Sequence, residues 1–173
     1  MSTAETRVFP LAPMSPPLCW LTAALLPLPV LLAAVGLSMP SPARAGLLGA
    51  AGLLAVLWVA VWLWWRPSRF EVMPHGLSIV WPARRRDIPA SDLAAARLLN
   101  RGEFRPTFGW AVRIGVGGLW GAFGLLWTSR GGLIDVYVSR LDRWVLIERR
   151  SARPLLVSPA RADEFVDALR RRA

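Results

Sequence analysis

Ile114–Ser129, IGVGGLWGAFGLLWTS, is sixteen residues without a charge, and the fold class turns on whether it crosses a membrane or folds as strands. As a helix it would reach about 24 Å at about 1.5 Å per residue, short for a segment that must cross a hydrocarbon core about 30 Å thick. Gly115, Gly117, Gly118, Gly121 and Gly124 weaken a helix further. A span here would also carry the ten arginines from Arg130 onward to the outer side, against the bias that keeps basic residues in the cytoplasm. The run therefore reads as two glycine-rich strands, with glycine where backbones or bulky rings come close.

Downstream the period stays near two. Ser129–Gly132 is a turn, and Ile134, Val136 and Val138 alternate with Asp135, Tyr137 and Ser139. Trp144–Glu148 and Pro154–Val157 are further strands between charged turns. Ser158-Pro159 has the form of an N-cap followed by proline at the first helical position. Ala162, Phe165, Val166 and Leu169 then form one apolar helical stripe, with Asp163 and Glu164 near its start and Arg170–Arg172 at its end, as the helix dipole prefers.

Upstream, Phe70 and Val72 alternate with Arg69 and Glu71, Pro74-His75-Gly76 turns the chain, and Leu77, Ile79 and Trp81 continue the alternation. This is a β-hairpin. Ala83–Asp87 is expected as an exposed loop and Asn100–Pro106 as another. Between them Ile88–Leu99 is ambiguous: its alanines favour helix by propensity, while its short length between turn signals favours a strand.

Ahead of that domain the chain changes regime. Gly46–Trp65, GLLGAAGLLAVLWVAVWLWW, is twenty residues without a charge and reads as a transmembrane helix. Leu18–Leu37 is a second such run, kinked at Pro27 and Pro29. The expected domains are an irregular proline-rich leader, 1–17, a two-helix transmembrane hairpin, 18–65, and a separate domain, 67–173. An alternative stands beside the first span, because Arg7, the apolar run and Ala43-Arg44-Ala45 also fit a cleaved secretory signal. Twenty apolar residues exceed the usual signal core of roughly 7 to 15, which favours an uncleaved helix. Gly46/Ala50 and Ala51/Ala55 have the small-xxx-small spacing that lets helices approach closely.

Charge sets the expected orientation. Arg66, Arg69 and Arg84–Arg86 follow the second span closely, against Arg44 alone in the connector, so both termini are expected in the cytoplasm and the protein in the inner membrane. Trp58, Trp62, Trp64 and Trp65 would form an aromatic belt at the inner interface, with Arg66 and Arg69 as anchors. Of the formal net charge of +10 in 173 residues, +9 lies from Arg66 onward, where 19 arginines face 10 acids. All 21 basic residues are arginine, a bias of composition more than of site chemistry.

The glycine-aromatic run Arg113–Trp127, then Val136-Tyr-Val-Ser139, Val145-Leu-Ile147 and Leu155-Leu-Val-Ser-Pro159 leading into Glu164-Phe165, resembles the bacterial pleckstrin-homology-like domains of membrane proteins of unassigned function. The resemblance covers about Pro67–Ala173. It implies a mainly-β barrel of about seven antiparallel strands, one end capped by the C-terminal helix, and it makes Ala94–Leu99 a strand. Phosphoinositide-binding members of the wider fold carry a basic cluster beside the first hairpin loop. Here that loop is Pro74-His75-Gly76, without such a cluster.

Little in the chain offers a reaction. His75 is the single histidine and sits in a turn, and Cys19 lies in an apolar run without a partner cysteine. Asp87 with Asp92 and Asp163 with Glu164 are explained by loops and helix starts. No phosphate loop, dinucleotide fingerprint or metal-ligand spacing occurs, so no catalytic, cofactor or metal residues are assigned and no enzyme activity is expected. Nucleic acid is not an expected partner despite a pI near 11.7, because the arginines scatter over many loops. The expected partners are the bilayer, a protein or second copy, and anionic lipid headgroups at Arg84, Arg85 and Arg86.

Overall fold

The structure is a computed structural model that describes residues 6–172, so the first five residues of the expected leader lie outside the described residues. From Arg7 the chain departs from the expected irregularity. Strand β1, Arg7–Pro10, pairs antiparallel with β2, Arg69–Met73, in the register Phe9↔Phe70. Its proline ends an edge strand, where the missing N–H is not needed by the ladder. Phe9 is 2% exposed.

Helices α1, Pro16–Leu25, and α2, Leu28–Ser38, form the first apolar segment, interrupted at Leu26-Pro27 where prolines remove helical donors. Helix α3, Ala43–Ala60, continues into a π-helical turn, Val61–Trp65, closed by the Arg66 N–H donating to the Val61 carbonyl at 3.0 Å. Each segment, Pro16–Ser38 and Ala43–Trp65, is 23 residues long and holds an 18-residue stretch of mean hydropathy 2.2. Both are long and apolar enough to cross a membrane, and 11% of each such stretch is buried. The two approach closely at Gly36, where an added Cβ would lie 3.0 Å from Leu47 Cβ. Gly46, expected at the contact, has nothing that near, whereas Ala51 is buried.

The β-rich part is two sheets. The first has the order β1-β2-β3-β4, with β3 Gly76–Val80 and β4 Arg85–Pro89. Strand β4 replaces most of the loop expected over Ala83–Asp87. Arg85 and Asp87 face outward, while Arg86 lies on the same side as Ile88, which is 2% exposed and pairs with Leu77. The second sheet has the order β5-β9-β10-β8-β7-β6, with β5 Leu93–Leu99, β6 Ala111–Gly117, β7 Ala122–Thr128, β8 Gly132–Val138, β9 Trp144–Arg149 and β10 Leu155–Val157. The glycine-rich run is thus two strands, and Ala94–Leu99 is a strand. Gly115 and Gly124 face each other across β6 and β7, both at positive φ, and a Cβ on either would fall within 3 Å of the other strand's carbonyl oxygen.

Two features of the expected barrel are corrected. There are ten strands in two sheets among the described residues, not about seven, and no strand ladder closes them. Nor is every pair antiparallel: β10 runs parallel to β8, because the short return before α5 re-enters the sheet beside it. The sheet margins meet at a bridge between Leu11 and Pro159, flanked by the Ala12 N–H donating to the Ser158 carbonyl at 2.8 Å and the Ala160 N–H to the Pro10 carbonyl at 2.9 Å, and at the Arg86–Asp135 ion pair at 3.1 Å.

Asn100–Pro106, expected as a loop, begins helix α4, Arg101–Phe108. Its start is a capping box: Asn100 accepts from the third-residue N–H while the Glu103 carboxylate accepts the Asn100 N–H at 3.0 Å. Helix α5, Ala162–Arg170, buries Phe165, Val166 and Leu169 in the core between the sheets, beside Phe9 and Phe70. Ser158-Pro159 does not cap it. The residue before α5 is Arg161, and Ser158 instead accepts the Ser139 N–H at 2.8 Å while its carbonyl accepts from Ala12. A smaller apolar cluster, including Leu99, Phe108, Ile134 and Leu156, lies under α4 on the outer face of the second sheet.

Candidate interaction site

The sequence singles out Arg84–Arg86, and the structure divides them. Arg85 ion-pairs with Asp87 at 2.9 Å and Glu71 at 3.2 Å, and Arg86 with Asp135 at 3.1 Å. The hydrogen bond to Asp87 holds the Arg85 guanidinium above its ordinary pKa. The Ser78 hydroxyl beside it and the hydrogen bond from Arg85 hold the Asp87 carboxyl below its own. Arg84 has no carboxylate partner among the described residues and lies 4.3 Å over the Trp81 ring. The Trp81 indole N–H donates to the Trp65 carbonyl at 3.0 Å, and the Ala83 N–H to the Leu63 carbonyl at 3.2 Å. The turn that carries Arg84 is therefore fastened to the end of the second apolar segment.

The expected anchors are similarly redistributed. Arg66 stacks over Trp62 at 4.5 Å, while Arg69 is bound at 2.7 Å to Glu71, a carboxylate whose side chain is 11% exposed. The π-helical turn changes the spacing of the tryptophans, so Trp62, Trp64 and Trp65 are all exposed and Trp58 is half-buried. Trp62 meets Trp120 edge to face at 5.1 Å. Thr22 of α1 donates to the Gly118 carbonyl at 3.1 Å and accepts the Trp120 N–H at 2.9 Å. The tip of the β6–β7 hairpin is thus seated on both apolar segments.

Beyond that tip the same hairpin carries a surface that the sequence reading missed. Among described residues after Trp65, the exposed large apolar side chains are Trp110, Val112, Ile114 and Trp127. Val112 pairs with Trp127 and Ile114 with Leu125, and the Trp110 and Trp127 rings meet at 5.1 Å, so the set forms one face. It is the face that buries Phe123 nearer the tip. Strand β6 ends its sheet with β7 as its one neighbour, leaving an unpaired margin beside that face. The alternation Trp110-x-Val112-x-Ile114 was visible in the sequence; that nothing covers it was not.

The opposite margin of that sheet is β5, whose exposed Ala94 and Ala95 border a cavity of about 370 Å³ against Leu169 and Arg170 of α5. Arg170 donates to the Ala96 carbonyl at 3.3 Å, covering part of this edge. Asp92, before β5, accepts from the Ser151 hydroxyl and N–H and pairs with Arg149 at 2.6 Å. The Ser151 hydrogen bonds, and then Arg149, lower its carboxyl to about 2. This buried group ties β5 to the turn after β9. His75 stays in its turn, where its carbonyl accepts the Ala90 N–H at 2.8 Å.

The sequence profile of the family described as "Bacterial PH domain" matches residues 68–173. No curated protein and no solved structure matches the chain. Strand β1 precedes the matched span yet belongs to its first sheet.

Proposed function

We propose, from the premise that the chain belongs to the bacterial PH domain family, that it is a membrane-tethered, non-catalytic interaction module that binds a protein through the open β6 margin. The observation that carries this reading is the confinement of exposed large apolar side chains, after Trp65, to one face of one edge hairpin. Contiguous exposed apolar surface marks interaction sites, tryptophan is enriched at binding hot spots, and an unpaired strand accepts another by backbone hydrogen bonding. The partner is a protein segment added to β6, or a second copy of this chain.

Tethering is supported by the two apolar segments and by the strand ahead of them. Because β1 pairs with β2, the chain leaves the bilayer on the side where it entered, which favours an even number of crossings. The arginines concentrated after the hairpin favour the cytoplasmic side of the inner membrane. Cleavage after Ala45 would remove Phe9 from the core, which favours retention of the first segment.

The test is a photo-crosslinking amino acid at Val112 in the full-length protein in native membranes, with Ala94 as the comparison site. A discrete adduct from Val112 that disappears with Trp127→Arg is expected, at about twice the 19.1 kDa chain mass if the partner is a second copy. No adduct from Val112, or the same adducts from both sites, would sink the association reading.

A second reading, contact with anionic headgroups, narrows from three arginines to Arg84, the member without a carboxylate and the one fastened to the end of α3's segment. Hydrogen exchange in full-length protein in nanodiscs should show the 81–84 turn better protected with phosphatidylglycerol than with phosphatidylcholine alone. That difference should vanish with Arg84→Gln and shrink in high salt.

A further inference from the structure

On the face of the second sheet opposite the tryptophans, a cavity of about 340 Å³ opens between α1, α4 and the sheet. That is near the lower end of small-ligand pockets, about 300–1,000 Å³. Leu18 and Leu21 of α1, Phe104 of α4, and Leu126, Val136 and Trp144 of the sheet line it. One charged residue shares that lining, Arg113.

The placement of Arg113 is built into the strand. Gly117 lies on the same face of β6, and a Cβ there would fall on the Arg113 guanidinium, so glycine leaves the space the charge occupies. The side chain runs toward the hairpin tip, beside Gly118, against which Leu21 packs. Among the described residues Arg113 has no ion pair and no hydrogen bond, although many other arginines of the β-rich part find carboxylates. An arginine fork without an acceptor at the mouth of an apolar cavity is matched to an amphiphile with an anionic head.

We infer that this cavity holds one acyl chain of an anionic bilayer phospholipid, with the phosphate on Arg113. The inference rests on the membrane tethering proposed above, and the source of the lipid follows from continuity. Leu21 lines the cavity and is 45% exposed on α1, one turn before Leu25 in a segment apolar enough to span, so the cavity opens onto the helix surface that would face lipid. The site is distinct from Arg84 and lies on the face of β6 opposite Val112 and Ile114. It would lock the hairpin tip, α1 and α4 together when filled, steadying the surface that meets the partner.

The experiment uses the full-length chain in nanodiscs of equal phosphatidylcholine and phosphatidylglycerol, released into detergent for native mass spectrometry. One phosphatidylglycerol retained per chain is expected, with phosphatidylcholine retained at least tenfold less. Arg113→Gln should lose that lipid tenfold or more, Arg113→Lys should keep most of it, and Leu126→Trp, which fills the cavity, should lose it with the charge intact. An unchanged circular dichroism spectrum and thermal midpoint in detergent check that each variant is folded. Wild-type retention by Arg113→Gln, or equal retention of the two lipids, would overturn the inference while leaving the association reading in place. A chain that fails to enter nanodiscs would overturn the tethering and the inference that rests on it.

Discussion

Gly76 shows how one residue sets the first sheet. Its φ is +150°, and a Cβ there would run into the Ile88 carbonyl of the neighbouring strand. Gly76→Val should therefore destabilise the protein by about 1–3 kcal/mol through backbone strain alone, with overlap adding to it, read as a lower midpoint of thermal unfolding in detergent. Asp92 sets a pH dependence. Its carboxyl is lowered to about 2 in the folded chain against about 3.9 when unfolded. A depressed acid contributes stability that is fully present above about pH 4 and is lost as pH falls toward 2. Asp92→Asn should lower the unfolding temperature at neutral pH and flatten its fall between pH 4 and pH 2. An unchanged acid limb would show that the Ser151 and Arg149 bonds do not govern that carboxyl.

Among elements, β1 and α4 depart most from sequence expectation. Strand β1 is four residues long, yet Phe9 packs edge to face on Phe165 at 5.2 Å. Phe9→Ala should cost about 3–5 kcal/mol, a core-sized penalty that a leader residue could not produce. A fragment beginning at Pro67 should likewise unfold more readily than one with Arg7–Leu11 joined ahead of it. Helix α4 depends on its cap, so Asn100→Ala should cost about 1 kcal/mol and loosen Phe104 from Trp144, whose rings lie 5.6 Å apart. The Asn100-x-x-Glu103 signal was present in the sequence, but Gly102 and Pro106 beside it read as loop. Strand β4 was hidden differently: on an edge strand with one buried position, Arg85-Arg86-Asp87 has the composition of a solvated turn.

For the whole molecule, the decisive pairing is between segments on either side of the apolar hairpin. Reporters fused before Met1 and after Ala173 should both report the cytoplasmic side. Opposite sides would be incompatible with β1 in the sheet of β2. What the sequence by itself determined was whatever depends on neighbouring residues: two uncharged runs long enough to span, the alternation of β2, β3 and β8, the apolar stripe of α5, and the change of regime near Arg66. The tertiary structure alone decided which distant segments meet. It placed β1 beside β2, set β10 parallel to β8, paired Arg85 and Arg86 with acids while leaving Arg84 and Arg113 without them among the described residues, and left Trp110 and Trp127 exposed. The physical reason is that hydropathy and strand period are properties of a local window, whereas strand partners, ion pairs and exposure depend on what the rest of the chain brings within a few ångströms.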